Sequence, residues 1–213
     1  MPLFREIQIP EARIGVWKVT ETADELFALH PKGAYLKQEA ETKFNSTKRI
    51  CEFAATRLLL HTLGCGHSVS YHASGRPYLL GSEEQISISH TKGYVAVMWS
   101  SQHEVGIDIE AYSERILRLK SRIVSPQEQA ETAYDVLLHW SAKESVFKIM
   151  DVEGVDFLQH LSIIGWSNPE KAETPLLSHY FQMQVSHPLH SHIYTVHYWL
   201  HDDFVLTYTV CKP

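Results

Sequence analysis

Two stretches carry apolar residues at helical spacing, TKRICEFAATRLLLHTLG (47–64) and AYDVLLHWSAKESVFKIM (133–150). Each is followed by short runs rich in β-formers, and no Gly/Ser- or Pro-rich linker divides the two blocks. After the first come GRPYL, ISISH (86–90), Tyr94 to Trp99 and VGIDIE (105–110). After the second come LSIIGW (161–166), YFQMQVS (180–186), HIYTVHYWL (192–200) and FVLTYTV (204–210). His201-Asp202-Asp203 should close the last two as a hairpin, and Gly64 should cap the first helix. Helix followed by antiparallel strands, twice over, predicts an α+β fold of two similar halves, divided here as 1–103 and 104–213. The polar stretch from Ser113 to about Glu131 reads as a further helix.

Nothing in the composition points away from a globular chain. Lys and Arg number 19 against 25 Asp and Glu, a net charge of −6. That sign argues against general affinity for nucleic acid or anionic membrane, though not against a local basic patch. No apolar run approaches the roughly 20 residues that span a bilayer, and MPLFREIQIPEARIG has no apolar signal core. Three cysteines without a CxxC pair imply neither a disulfide framework nor a zinc knuckle, so a reduced, cytoplasmic protein is expected. The 14 histidines are scattered before clustering between His179 and His201. Without HExxH-type spacing, His190 and His192 read as half-exposed strand residues rather than metal ligands.

Two short segments carry chemistry. In VGIDIE, strand alternation puts Gly106, Asp108 and Glu110 on one face and Val105, Ile107 and Ile109 on the other. Side-by-side carboxylates repel unless water or a cation lies between them. Taken alone, the hexapeptide describes the solvated face of an edge strand; its other reading is a hard-cation site, since Mg²⁺ takes carboxylate oxygens, water and phosphates. In HWSAKESVFK, Trp140, Glu144 and Lys148 share a helix face, although Glu four residues before Lys is also an ordinary helix-stabilising pair. Co-occurrence of the two segments, about thirty residues apart, favours the functional reading.

Together they resemble the 4′-phosphopantetheinyl transferases, in particular the larger single-chain, pseudo-dimeric class. GIDIE (106–110) and WSAKESVFK (140–148) are similar to that family's G-[IV]-D-[IVL]-E strand and W-[ST]-x-K-E-[SA]-x-x-K helix. KRICEFAATRLLL (48–60), SGRPYL (74–79) and SISHTKGYVAV (87–97) match its weaker features. The resemblance spans about residues 43–165; the first 40 residues and the C-terminal strands agree only in kind.

The resemblance implies an enzyme that moves the phosphopantetheine arm of coenzyme A to a serine hydroxyl of an apo acyl or peptidyl carrier protein, releasing adenosine 3′,5′-bisphosphate. The N-terminal half would bind coenzyme A, and the C-terminal half would carry the metal and catalytic motifs. Asp108, Glu110 and Glu144 would hold Mg²⁺; Glu144 would complete the metal site or deprotonate the serine. Lys148 would meet the phosphates, with Arg49, Arg57, Arg76, Ser89 and His90 also assigned to coenzyme A. Arg57 serves the ligand or closes an internal ion pair; Trp140 is assigned to packing. Arg115, Arg118 and Arg122 would line a helix as a stripe, a docking patch for an acidic carrier or simply a solvated face. RIVSPQEQ (122–129) resembles a further short family stretch, but with Ile123-Val124 where an aromatic is usual. A monomer is expected, and fatty-acid, peptide and polyketide carriers would all present the same serine. A silent binding module or a Mg²⁺-dependent phosphohydrolase are the alternatives.

Overall fold

A computed structural model describes residues 3–150, 152–166 and 179–212. The chain forms two compact units, Met1–Gln102 and His103–Pro213. In the first, strands β1 (Leu3–Gln8), β2 (Arg13–Lys18), β5 (Gln85–Thr91) and β6 (Tyr94–Ser100) make an antiparallel sheet of order β1-β2-β6-β5. Strands β3 (Val69–Tyr71) and β4 (Pro77–Leu79) form a separate hairpin. Helices α1 (Ala23–Leu29), α2 (Gly33–Lys43) and α3 (Thr47–Thr62) complete the unit.

The helix expected over 47–64 is α3, and its end is set as the sequence indicates. Gly64 adopts φ +88°, and the N–H of Cys65 closes back on the carbonyl of Leu60, a left-handed cap that glycine enters without strain. Along α3, Leu58, Leu59 and Leu63 join Leu26, Val95 and Val97 in one core. Strands β1 and β2 and helices α1 and α2 emerge only in the structure. Thr22 opens α1 by a capping box, accepting from the Glu25 N–H while the Glu25 carboxylate takes the Thr22 N–H.

The second unit is one antiparallel sheet of order β7-β11-β10-β9-β8, formed by β7 (Glu104–Ala111), β8 (Leu161–Trp166), β9 (Tyr180–His187), β10 (His190–Leu200) and β11 (Phe204–Cys211). The hairpin at His201–Asp203 joins β10 to β11 as expected. Helix α5 (Ala133–Phe147) starts with a second capping box, Thr132 with Asp135. Its apolar stripe, Leu138, Ala142, Val146 and Ile149, shares a core with Phe181, Met183, Val196 and Val205. Each such side chain, once buried, contributes about 1.5–3 kcal/mol of transfer free energy.

The long polar helix expected between Ser113 and Glu131 does not form. A 3₁₀ turn, Glu114–Leu119, runs into one α-turn, α4 (Lys120–Ile123), and the chain then leaves helical geometry at Val124. Pro126 explains the stop, because it disfavours helical geometry in the residue before it and cannot donate a backbone hydrogen bond. Among the described residues no helix is long and apolar enough to cross a membrane.

The register brings Gly106, Asp108 and Glu110 of β7 onto the face that α5 covers. A Cβ at Gly106 would stand 2.0 Å from the Ser145 carbonyl oxygen, so the helix backbone rests directly on the strand. Gly106→Ala should therefore force the two apart and lower stability by about 1–3 kcal/mol or more, read as a fall in the urea midpoint. An unchanged midpoint would refute the close approach.

Candidate active site

The strand face that the hexapeptide taken alone would leave to solvent is packed. Asp108 is 3% exposed, while Glu110 is half-buried. Two α5 side chains meet these acids. Lys148 Nζ donates to Asp108 Oδ1 at 2.8 Å and to the Ile107 carbonyl at 2.9 Å, and Trp140 Nε1–H donates to Glu110 Oε1 at 2.8 Å. Trp140 thus does more than pack, although its ring also lies 5.7 Å from that of Phe157. Glu144 stands between the two on the helix, half-buried. Burial pushes its carboxyl pKa up to about 7, assisted by Asp108 and Glu110 and opposed by Lys148.

The shared face predicted for Trp140, Glu144 and Lys148 and the alternation predicted for β7 therefore converge on one place. Among the described residues no three His, Cys, Asp or Glu side chains form a ready-made ligand cluster, since Asp108 is turned to Lys148 and Glu110 to Trp140. The donor set nevertheless suits a hard dication. The negative charges of Asp108 and Glu110 raise the cost of ionising Glu144, and a cation between the three would relieve it.

One lysine of the motif acts differently from the rest. Lys143 is fully buried, donating to Glu128 Oε2 and the Ile123 carbonyl at 2.8 Å and to the Phe157 carbonyl at 3.1 Å. Glu128 also accepts the N–H groups of Ser125 and Ile163. Burial pushes the Glu128 pKa up, but these bonds outweigh it and hold the carboxyl below its ordinary value; burial pulls Lys143 down against the attraction of Glu128. Neither residue was singled out above, though both stand in the quoted stretches WSAKESVFK and RIVSPQEQ. The pair pins α5 to the loop after α4 and to β8, directly beside Glu144 in sequence.

Family comparison decides what this arrangement belongs to. The model of the 4′-phosphopantetheinyl transferase superfamily matches residues 104–209, which contain β7, α5 and the strands that carry them. The chain belongs to that superfamily. No curated protein matches it significantly. Phosphopantetheinyl transfer, with coenzyme A as co-substrate and a carrier protein as acceptor, is the activity of the superfamily.

In the first unit, the transferase brings two of the residues assigned to coenzyme A together. Arg49 on α3 lies 3.3 Å from His90 Nε2 on β5, and Glu52 stands 3.6 Å from Arg49 and 3.8 Å from His90. Glu52 also meets Lys48 at 3.4 Å, so it organises this cationic corner; its signal was the Glu of the KRICEF stretch. Ser89, beside His90 on β5, is buried, and Arg76 lies in the β3–β4 turn next to Gly75 at φ +87°. Among the described residues Arg57 has no ion-pair partner; its guanidinium lies 4.4 Å over the Phe53 ring. Arg115, Arg118 and Arg122 are exposed, but the change from 3₁₀ to α geometry breaks the single stripe expected of them.

Of the C-terminal histidines, His190 and His197 lie on β10 and His201 in the turn after it, each against a ring or a hydroxyl. His190 Nε2 meets the Tyr194 hydroxyl at 2.8 Å, His197 stacks on Tyr208, and His201 on Phe204.

Because the folded pKa of Glu128 lies below its unfolded value of about 4.3, its stabilisation is complete above that value and is lost as pH falls through the lower folded one. Glu128→Gln should cost about 3–5 kcal/mol at pH 7, where it leaves Lys143 buried without a counter-charge. The gap from wild type should close as pH falls through that lower folded value and Glu128 itself becomes neutral. Urea melts from pH 7 to pH 3 read both limbs; a gap independent of pH would refute the ion pair.

Proposed function

We propose that this transferase moves the 4′-phosphopantetheine arm of coenzyme A to a serine of an acyl or peptidyl carrier protein in a Mg²⁺-dependent reaction. The observation that carries the proposal is the gathering of Asp108, Glu110, Glu144 and Lys148 under one helix turn of the superfamily-matched unit. Asp108, Glu110 and Glu144 would hold the metal, which when bound supplies charge neutralisation on the pyrophosphate. Lys148 donates to Asp108 Oδ1, and its partly exposed ammonium would also meet phosphate oxygens of coenzyme A. Trp140 fixes Glu110 by its N–H, and Glu144 either adds a third ligand or accepts the proton of the serine hydroxyl.

Arg49 and His90, joined around Glu52, are proposed to hold a phosphate of coenzyme A, with Ser89 and Arg76 as further contacts. Arg115, Arg118 and Arg122, exposed with Leu117 and Leu119 between them, form the proposed docking patch for an acidic carrier. The α+β unit that precedes the matched one supports placing the chain in the larger, single-chain class. A cytoplasmic monomer is part of this reading.

Intact-mass spectrometry of an apo carrier incubated with the protein, coenzyme A and Mg²⁺ tests it. A mass gain equal to phosphopantetheine, abolished by EDTA, is expected; no gain with acyl or peptidyl carriers would overturn it. Asp108→Asn, which keeps the side-chain shape, should slow transfer by about a hundredfold or more. Trp140→Phe removes a hydrogen bond to a charged group, worth about 1.5–3 kcal/mol. It should raise the Mg²⁺ concentration for half-maximal transfer by about tenfold, and an unchanged Mg²⁺ requirement would return Trp140 to packing alone.

A further inference from the structure

The first unit holds a cavity of about 450 Å³ between α2, the C-terminal half of α3 and the segment leading into β3. Its lining includes Arg57, His30, Lys32, Tyr35 and His61, and includes neither Arg49 nor His90. Arg57 is 7% exposed, and both terminal nitrogens of its guanidinium are buried without a hydrogen-bond partner among the described residues. A guanidinium cannot shed its charge, so burying one without acceptors or a counter-ion costs several kcal/mol. Contact with the Phe53 ring recovers only about 0.5–2 kcal/mol of this.

No acid of the lining neutralises it. Glu39, the one carboxylate there, is engaged by Lys43 at 2.7 Å. His67 is matched by Glu84 from outside the lining, at 3.7 Å. The rings of His30 and His61 lie 5.0 Å apart, adding two groups that become cationic when protonated. Burial lowers the His30 pKa, and His61, Lys32 and Arg57 lower it further, which shows how closely the cations crowd. Leu36, Leu60, Val69 and Leu80 supply apolar wall, with Ser68 and Ser70 beside them.

We propose that this cavity is an anion site, distinct from the Arg49–His90 corner, that takes a small organic phosphate. Its phosphate group would bond the Arg57 guanidinium, with Lys32 and His61 adding charge, and its carbon body would lie on the apolar walls. Arginine's fork matches two phosphate oxygens at once, which is the pairing that the two orphaned nitrogens lack. The inference does not rest on the transferase reading, and phosphate binding can be measured without transfer activity.

Phenyl phosphate and inorganic phosphate are the probes, titrated into the full chain by calorimetry in a phosphate-free buffer. Phenyl phosphate should bind about tenfold more tightly than inorganic phosphate, because its ring adds apolar burial. Arg57→Met should weaken it by at least about tenfold. Should that variant fail to fold, Lys32→Gln and His61→Asn, both at exposed positions, should each weaken it severalfold with an unchanged melting temperature. Saturating coenzyme A should leave the phenyl phosphate isotherm intact. No binding to wild type, binding unaffected by these variants, or displacement by coenzyme A would each overturn the proposal.

Discussion

Helix α5 lies on strand β7 at backbone distance, and the candidate active site follows from that contact. Gly106 presents no Cβ, so the Ser145 carbonyl settles over the strand where any side chain would hold it away. At that separation Lys148 reaches Asp108, Trp140 reaches Glu110, and Glu144 enters the field of both acids. The strand supplies the acids by period two and the helix supplies their partners by period four. Only close packing makes the two periodicities meet.

The helix is held in that position from several sides. Ser141 and Thr207 are joined by a hydroxyl contact at 3.0 Å, and the Thr207 hydroxyl donates to the Ser141 carbonyl at 2.8 Å, fixing α5 on β11 beside Asp108. Behind it, Lys143 draws two separate pieces of backbone, the carbonyls of Ile123 and Phe157, and the Glu128 carboxylate onto one ammonium. A buried ion pair need not add net stability compared with a hydrocarbon of the same shape. Its value here is geometric, since three acceptors from different segments define where α5 sits.

Charge is distributed unevenly despite the net −6. In the second unit, carboxylates crowd under α5 with one partly buried ammonium. In the first, cations gather at the Arg49–His90 corner and again around Arg57. The two basic places differ in kind. Arg49 and His90 are partly exposed and share Glu52, whereas the guanidinium of Arg57 is buried and without an acceptor.

The sequence by itself determined the second unit in outline. Strands β7 to β11, helix α5, the hairpin at His201–Asp203 and the left-handed cap at Gly64 all follow from residue-scale periodicity and turn chemistry. It also marked Asp108, Glu110, Glu144 and Lys148, because alternation and helical spacing fix which side chains share a face. Long-range choices were another matter. The helical reading from Ser113 to Glu131 gave way at Pro126, and the face of β7, which taken alone reads as a solvated edge, is covered by α5. Lys143 and Lys148 look alike in the motif, yet one is sealed inside with Glu128 and the other is 26% exposed at the acids. Arg57 reads like any helical arginine until tertiary packing leaves it beside a cavity with no carboxylate of its own. Local pattern assigns a residue to a face; what that face meets is set by segments distant in sequence, and so only the tertiary structure decided which charges are paired, buried or left wanting a partner.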